Sequence, residues 1–168
     1  MAKPHLTNAA YYDRYIQLVT EDDLALAFKN RSAAMAAFLN TLPEAKADFA
    51  YAPGKWTIKQ LLQHMVDAER IFAYRALAFA RHDVTPLPGF EEDDYAKAAG
   101  VSGRSIINIA AELMSVRHAN QLLFASFAEE DLQQVGTASN NPMSAASAGW
   151  VILGHFEHHK AILLERYL

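Results

Sequence analysis

Cysteine is absent from the 168-residue chain. Its absence excludes disulfide bonds, thiolate metal ligands and a nucleophilic cysteine, and it fits a reducing compartment. The seven glycines and six prolines are too few for a collagen-like or disordered polymer. No apolar run reaches the ~18 residues of a membrane span, and the N-terminus has no apolar core of signal-peptide length. We therefore expect a soluble, cytoplasmic protein without a membrane partner.

Positive charge is also scarce, with 15 Lys and Arg against 19 Asp and Glu and a formal net charge of −4. Nucleic-acid binding depends on clustered cations, so we expect no nucleic-acid partner. The hydrophobic fraction of 52% and the charged fraction of 20% are typical of globular proteins. Since the length is close to that of one domain of ~150 residues, we predict a single domain over residues 1–168.

Four segments carry a helical period, and almost nothing alternates with the period of two that β-strands need. N-cap signals mark the predicted helix starts: Thr20 before a run of acids, Thr57 with Gln60 in a capping box, residues 102–105, and Asn141 before Pro142. The connections at 43–56, 83–101 and 128–140 are long. The pattern predicts an all-α four-helix bundle with at least one crossover connection, ending at about residue 166. Residues 1–19 form an N-terminal extension that should pack on the bundle.

Apolar residues recur at helical spacing in the same four segments and should form the core. They are Leu24, Phe28, Met35 and Phe38; Ile58, Leu62, Met65, Phe72, Ala76 and Phe79; Ile106, Ala110, Leu113, Phe124 and Phe127; and Ala148, Ile152 and Ile162.

Three of the seven histidines stand where they could bind one metal ion. His155 and His159 are four residues apart, so they share one helix face, and the apolar stripe around them turns that face inward. His64 follows its N-cap by seven residues and His159 precedes Arg166 by seven, so antiparallel helices would place all three at one level. Three His ligands hold catalytic zinc and leave a fourth position open. The alternative is that the macrodipole favours histidines near a helix C-terminus without any metal.

Four further side chains are candidates for chemistry. Asp67, one turn from His64, could orient a metal-bound nucleophile, or it could be a solvated surface acid. Glu69 falls inside an apolar arc and needs a partner, for which Arg75 or an imidazole proton could serve; an internal ion pair is favoured over a catalytic role. Arg117, on the core stripe of the third helix, could clamp an anionic substrate, although snorkelling is more common. His158 is rotated by about 100° from His159 and belongs to a different face of the helix. His5, His82 and His118 have no assigned partner in this scheme.

The order of these motifs resembles that of the DinB superfamily of bacterial four-helix metalloproteins, over roughly residues 20–168. The segments that carry the resemblance are 53–58 (PGKWTI), 63–70 (QHMVDAER), 85–89 (TPLPG), 154–159 (GHFEHH) and 165–168 (ERYL). The resemblance implies an up-down-down-up helix order and, often, a homodimer. It also implies one divalent metal, usually zinc or nickel, held by a triad that matches His64, His155 and His159.

Characterised relatives include transferases and isomerases that use a low-molecular-weight thiol, and others are described only as metal-dependent hydrolases. The resemblance therefore implies a metal-dependent enzyme in which the ion activates a thiol cosubstrate or water. Because the chain has no cysteine, any sulfur nucleophile must come from outside it. The alternative from a different class is a non-catalytic stress-response or ligand-binding bundle whose metal only holds the helices together.

Overall fold

The bundle consists of four long helices, and shorter elements occupy its connections. The computed structural model describes residue 3 and residues 6–168; His5 and part of the predicted N-terminal extension lie outside this range. The α-helices and β-strands in the described range are α1 (Asp13–Ile16), α2 (Leu24–Leu39), α3 (Ile58–Ala80), α4 (Glu92–Ala98), α5 (Ile106–Ala125), α6 (Glu129–Gln133), β1 (Val135–Ala138), β2 (Asn141–Ser144) and α7 (Ala145–Arg166). The predicted four-helix bundle is confirmed, with α2, α3, α5 and α7 as its long helices.

The long helices alternate in an unusual order around the bundle. Both α2 and α3 pack against α5 and α7, so α2 and α3 occupy opposite corners. The direction of each helix follows from two contacts at different heights of each interface. Between α3 and α5 these contacts are Gln63–Arg104 and Glu69–Arg117. Between α3 and the β1–α7 segment they are His64–His155 and Phe79–Gly136, and between α2 and α7 they are Leu24–Gly149 and Phe38–Phe156. Thus α5 runs parallel to α3, whereas α7 runs antiparallel to α3 and parallel to α2. This is the up-down-down-up order that the DinB resemblance implies.

Local capping explains where α2 and α3 begin. The Thr57 hydroxyl accepts a hydrogen bond from the Gln60 amide at 3.2 Å, and the Gln60 side chain accepts one from the Thr57 amide at 2.9 Å, so the predicted capping box is confirmed. The N-cap of α2 is Asp23 rather than the predicted Thr20. The Asp23 carboxylate accepts a hydrogen bond from the Leu26 amide at 2.8 Å, so the helix starts at the last residue of the acidic run.

The start of α7 also differs from the prediction. Asn141 and Pro142 belong to β2, which pairs antiparallel with β1, and Ser144 is the N-cap of the helix. The two turn residues of the hairpin, Ser139 and Asn140, have φ values of 52° and 61°. Positive φ at both positions is what a tight two-residue hairpin turn requires. The cap-like Asn-Pro pair therefore follows a turn instead of starting a helix.

The long crossover between α3 and α5, residues 81–105, forms backbone hydrogen bonds with this hairpin near its start and packs on α3 further along. The Leu87 amide donates to the Thr137 carbonyl at 2.9 Å, and the Ser139 amide donates to the Leu87 carbonyl at 3.1 Å. Further along the crossover, α4 packs on α3, where the Gln60 side chain donates to the Ala96 carbonyl at 3.4 Å. The crossover therefore places the N-terminus of α4 over the part of α3 that carries His64.

Two apolar clusters form the core, one centred on Trp150 and one on Leu62. The predicted core residues are buried, apart from Ile162, which is half-buried. The core also contains a set of buried polar side chains: His64, Glu69, Arg117, Asn120, His155 and His159. Because a buried polar group must be paired or bind a ligand, this set is where function is most to be expected.

The short helix α1 packs against α7 near the middle of that longer helix. A side chain at Gly154 would overlap the backbone carbonyl of Tyr15, so the glycine is what permits this close approach. The contact brings Tyr15 next to the first two histidines of the C-terminal motif, His155 and His158. No helix in the described part of the chain is long and apolar enough to span a lipid bilayer.

Candidate metal centre

Three histidine rings converge between α3 and α7. Nε2 of His155 lies 3.1 Å from Nε2 of His64 and 3.0 Å from Nε2 of His159. One ring nitrogen from each residue lies within 4.8 Å of the other two. The exposed fractions are 3% for His64, 6% for His155 and 9% for His159. The structure thus brings together the three histidines that helical spacing and family resemblance singled out.

All three imidazoles are uncharged near neutral pH. Burial lowers the pKa of His64 to about 4 and that of His159 to about 2. The pKa of His155 is also well below its ordinary value, first because the ring is buried and then because the neighbouring histidines would repel its charge. Neutral imidazoles have a free nitrogen lone pair, which is the form that binds a metal ion.

The arrangement fits a divalent cation. A tetrahedral ion at the usual zinc–nitrogen distance would separate its ligand nitrogens by about 3.3 Å, close to the 3.0 and 3.1 Å between these Nε2 atoms. Among the described residues, Nδ1 of His159 is buried without a hydrogen-bond partner, so no acceptor orients this ring through its second nitrogen. An all-imidazole donor set suits zinc, nickel, copper or iron, so the donors alone do not select the metal.

A cavity of about 160 Å³ opens onto the cluster, and His64 and His155 form part of its wall. Oε2 of Glu92, at the N-terminus of α4, lies 3.7 Å from Nε2 of His64. Burial raises the pKa of the Glu92 carboxyl and of the Tyr15 phenol, which also lines this cavity. The sequence interpretation missed both residues; the only signal for Glu92 was the acidic run that follows the crossover loop.

On another side, an aromatic residue covers the cluster. The Trp56 ring lies 4.8 Å from the His64 ring, centroid to centroid, and its indole nitrogen donates to Asp93 at 3.0 Å. A second cavity of about 250 Å³ is lined by Trp56, Asp93 and His159. Trp56 belongs to the motif at 53–58 that carried the family resemblance, so a sequence signal for it existed.

Asp67 lies on the side of α3 that faces α5 and lines neither of these two cavities. Its carboxylate accepts a hydrogen bond from Gln63 at 3.0 Å and lies 4.0 Å from Arg70. Burial raises its pKa, and the two nearby groups oppose that shift. The structure therefore does not bring Asp67 to the histidines, and its predicted role in steering a nucleophile stays a prediction.

Glu69 forms a buried ion pair, but with a different arginine from the one expected. Nε of Arg117 donates to the two carboxylate oxygens at 3.0 and 3.1 Å, Nη2 of Arg117 makes a further contact, and Asn120 donates at 3.1 Å. The internal ion pair favoured for Glu69 is thus present, whereas Arg75 as its partner is wrong. Arg117 is buried and paired with Glu69, so it does not snorkel to solvent, and it lines neither cavity at the histidine cluster.

Arg75 instead lies at the wall of the cavity that contains His64 and His155. Its Nη2 donates to the Pro88 carbonyl at 3.0 Å and to the Ser139 hydroxyl at 2.9 Å. The crossover loop and the hairpin turn together hold this side chain in place.

The other described histidines lie apart from the cluster. His158 is half-buried, and its ring packs edge-on against those of Tyr15 and His159 without joining the three convergent nitrogens. His82 and His118 are exposed. Their exclusion from the site agrees with the sequence interpretation.

In the metal-free protein, we expect acid to destabilise the fold through His64. Its pKa is about 4 when folded and about 6.5 when unfolded, so the unfolded state binds more protons and stability is lost as the pH falls through this window. Between pH 6.5 and 5 the loss from His64 is about 1.5 kcal/mol. Urea denaturation of chelator-treated protein at both pH values measures it. In His64→Phe this component should disappear, and an undiminished pH dependence in that variant would contradict the assignment.

Comparison with known proteins agrees with the geometry. The family model described as the DinB superfamily matches residues 27–163, which include all three clustered histidines. Among solved structures, YfiT from Bacillus subtilis, described as a probable metal-dependent hydrolase with an unusual four-helix bundle topology, is similar with a TM-score of 0.69 and 14% identity, over 95% of this chain and 87% of YfiT. At this identity the likeness shows the fold alone. No curated protein matches the chain. Because the family model covers most of its length, the chain belongs to the DinB superfamily.

Proposed function

We propose that the protein is a metal-dependent enzyme of the hydrolase type, with one divalent ion held by His64, His155 and His159. The observation that carries the proposal is the convergence of three neutral Nε2 atoms, two of them on residues that line a cavity, His64 and His155. The shared fold with YfiT, a probable metal-dependent hydrolase, supports it. When bound, such an ion lowers the pKa of a bound water or thiol and polarises a carbonyl group.

The number of protein donors favours catalysis over the alternative of a structural metal. Structural zinc usually has four protein ligands, whereas a catalytic ion keeps one position open. Among the described residues, the donor atoms that lie within 4.8 Å of one another come from the three histidines, and Glu92 does not belong to this set. Because His64 and His155 line the cavity, a substrate bound there would lie next to an ion held by these residues.

Two residues at the cavity are placed to handle protons. The Glu92 carboxylate lies beside His64 and can accept a proton from the attacking nucleophile. The Tyr15 hydroxyl accepts a hydrogen bond from Arg14 at 2.6 Å and lies 3.3 Å from the Tyr11 hydroxyl, so its proton can be donated to Tyr11 or to a bound substrate. Water is the simplest nucleophile for this site, and an external thiol could take its place. Zinc or nickel as the metal and a homodimer as the assembly stay predictions from the family resemblance.

The proposal is tested by activity assays on metal-loaded and chelator-treated protein. Ester and amide substrates with water alone, and electrophiles with several small thiols, distinguish the two nucleophiles. We expect chelation to abolish activity and added metal to restore it. Activity that persists after verified metal removal would contradict the proposal. A metal-loaded protein in which four protein ligands surround the ion would instead favour the structural alternative.

Two carboxylates compete for the role of positioning the nucleophile, and their variants separate them. The sequence favoured Asp67, whereas the geometry favours Glu92. We expect Glu92→Gln to lower turnover roughly 10–100-fold with the metal still bound, the size typical of groups next to a metal site. Asp67→Asn is the matched control and should change turnover by less than about threefold, because Asp67 lines neither cavity at the histidine cluster. Steady-state kinetics, with the metal content of each variant measured, distinguishes the two carboxylates. A larger loss of turnover in Asp67→Asn than in Glu92→Gln would return the role to Asp67.

A further inference from the structure

The cavity at the metal centre continues along α3 to a buried arginine. His64, Ala68, Phe72 and Arg75 recur at intervals of four, four and three residues, so they share one face of the helix, and all four line the cavity. His64 and Arg75 are about 16 Å apart along the helix axis. The Arg75 side chain leans back toward the N-terminus, as helical side chains do, and its guanidinium carbon lies 5.1 Å from the centre of the Phe72 ring.

Arg75 has no acidic partner among the described residues, although it is only 2% exposed. Salt bridges in that part of the chain involve other arginines, and Arg117, equally buried, is paired with the Glu69 carboxylate. Arg75 donates hydrogen bonds only through Nη2, and both acceptors, the Pro88 carbonyl and the Ser139 hydroxyl, are neutral. Its Nε and Nη1 have no protein acceptor in the described range. A buried charge is costly unless an opposite charge compensates it. The contrast with Arg117 indicates that the counterion of Arg75 is a ligand.

The surroundings of Arg75 favour a defined class of ligand. The guanidinium fork matches the oxygens of a carboxylate or a phosphate group. The cavity between Arg75 and the histidines is lined by the rings of Tyr12 and Phe72, which lie 5.6 Å apart in an edge-on arrangement. The acidic side chains of Glu91 and Glu92 also line this cavity, and an anion bound at Arg75 would have to lie away from them.

We propose that Arg75 binds the terminal oxyanion of a small substrate whose apolar middle packs on Phe72 and whose reacting group lies at the histidine cluster. This assignment of a substrate class rests on the proposed function, but the oxyanion site itself does not need the metal. Arg75 also borders an outer cavity of about 270 Å³ beneath the crossover loop, which gives the oxyanion a route from solvent. Ser139 and Pro88 hold the guanidinium at the junction of the two cavities.

The test is calorimetric titration of the full-length, chelator-treated protein with 4-phenylbutyrate, 3-phenylpropyl phosphate and the neutral 4-phenylbutyramide. We expect at least one of the two oxyanions to bind and the amide to bind at least 10-fold more weakly. Binding by only one oxyanion identifies which acid the site takes. Because the metal has been removed, a carboxylate cannot be retained by the ion instead of by Arg75.

Variants then assign the binding to Arg75. Arg75→Gln should weaken oxyanion binding roughly 10–100-fold, whereas Arg81→Gln, the same charge change at the exposed end of α3, should leave it unchanged. Arg75→Lys keeps the positive charge but lacks the forked guanidinium, so its oxyanion affinity should lie between those of wild type and Arg75→Gln. This variant replaces Arg75→Gln if the latter does not fold. Equal binding by wild type and Arg75→Gln, or no preference of wild type for either oxyanion over the amide, would overturn the proposal. Oxyanion binding without any metal-dependent activity would instead refute the proposed function alone.

Discussion

We expect His155→Ala to abolish metal binding, because His155 is the middle ligand whose Nε2 contacts both of the others. Wild type should retain about one divalent ion per chain after reconstitution and dialysis. A ligand present at 1,000 times its Kd stabilises the native state by about 4 kcal/mol, and the variant should lose nearly all of this gain. Elemental analysis gives the stoichiometry, and thermal denaturation with and without metal gives the stabilisation.

The matched control is His158→Ala, three residues along the same helix. Its ring touches that of His159 but supplies no nitrogen to the convergent set, so this variant should bind metal nearly as wild type does. Circular dichroism of both metal-free variants checks that the helices are intact. Unchanged stoichiometry in His155→Ala, with the fold preserved, would refute the triad.

The second large effect concerns stability. Replacing Arg117 with methionine should destabilise the fold by about 3–5 kcal/mol, because the Glu69 carboxylate would stay buried without its positive partner. Removing both charges in Glu69→Leu with Arg117→Met should cost far less, since no unpaired charge remains. Urea denaturation of wild type, both single variants and the double variant forms the cycle. Additive losses in the double variant would contradict a coupled pair.

The pH dependence of the same variant gives an independent measurement. Burial raises the pKa of Glu69 in the folded protein, and Arg117 opposes that rise. Without Arg117 the folded-state pKa should rise further, so the native state takes up a proton at a higher pH than the unfolded state does. The loss of stability in Arg117→Met should therefore be smaller at pH 5 than at pH 8. A loss that is equal at both pH values would show that the carboxylate is not the source of the penalty.

The local signal at Thr57 predicted the start of α3, the start of α2 shifted by three residues within its acidic run, and the start of α7 failed because a hairpin precedes it. The Thr57 capping box depends on atoms three residues apart, and the structure contains it as predicted. The segment at 135–144 does not alternate between polar and apolar residues, yet it forms a hairpin of two antiparallel strands. Backbone hydrogen bonds from Leu87 to Thr137 and from Ser139 to Leu87 hold the turn end of this hairpin. Such pairing depends on contacts across the chain, which no local pattern shows. Asn141 and Pro142 consequently looked like the start of a helix.

The sequence by itself determined the four amphipathic helices, the inward face of His155 and His159, and the common level of His64, because helical spacing fixes the angle and height of a residue on its own helix. The sequence could not determine which neighbouring helix packs against each side of a given helix, since that depends on the order in which the crossover connects the helices. Tertiary packing therefore decided that Glu69 meets Arg117 on the parallel helix α5, 48 residues away. The crossover also decided that Glu92, rather than Asp67, lies beside His64. An α-helix specifies directions for its side chains, and the partners in those directions are specified only when the helices pack.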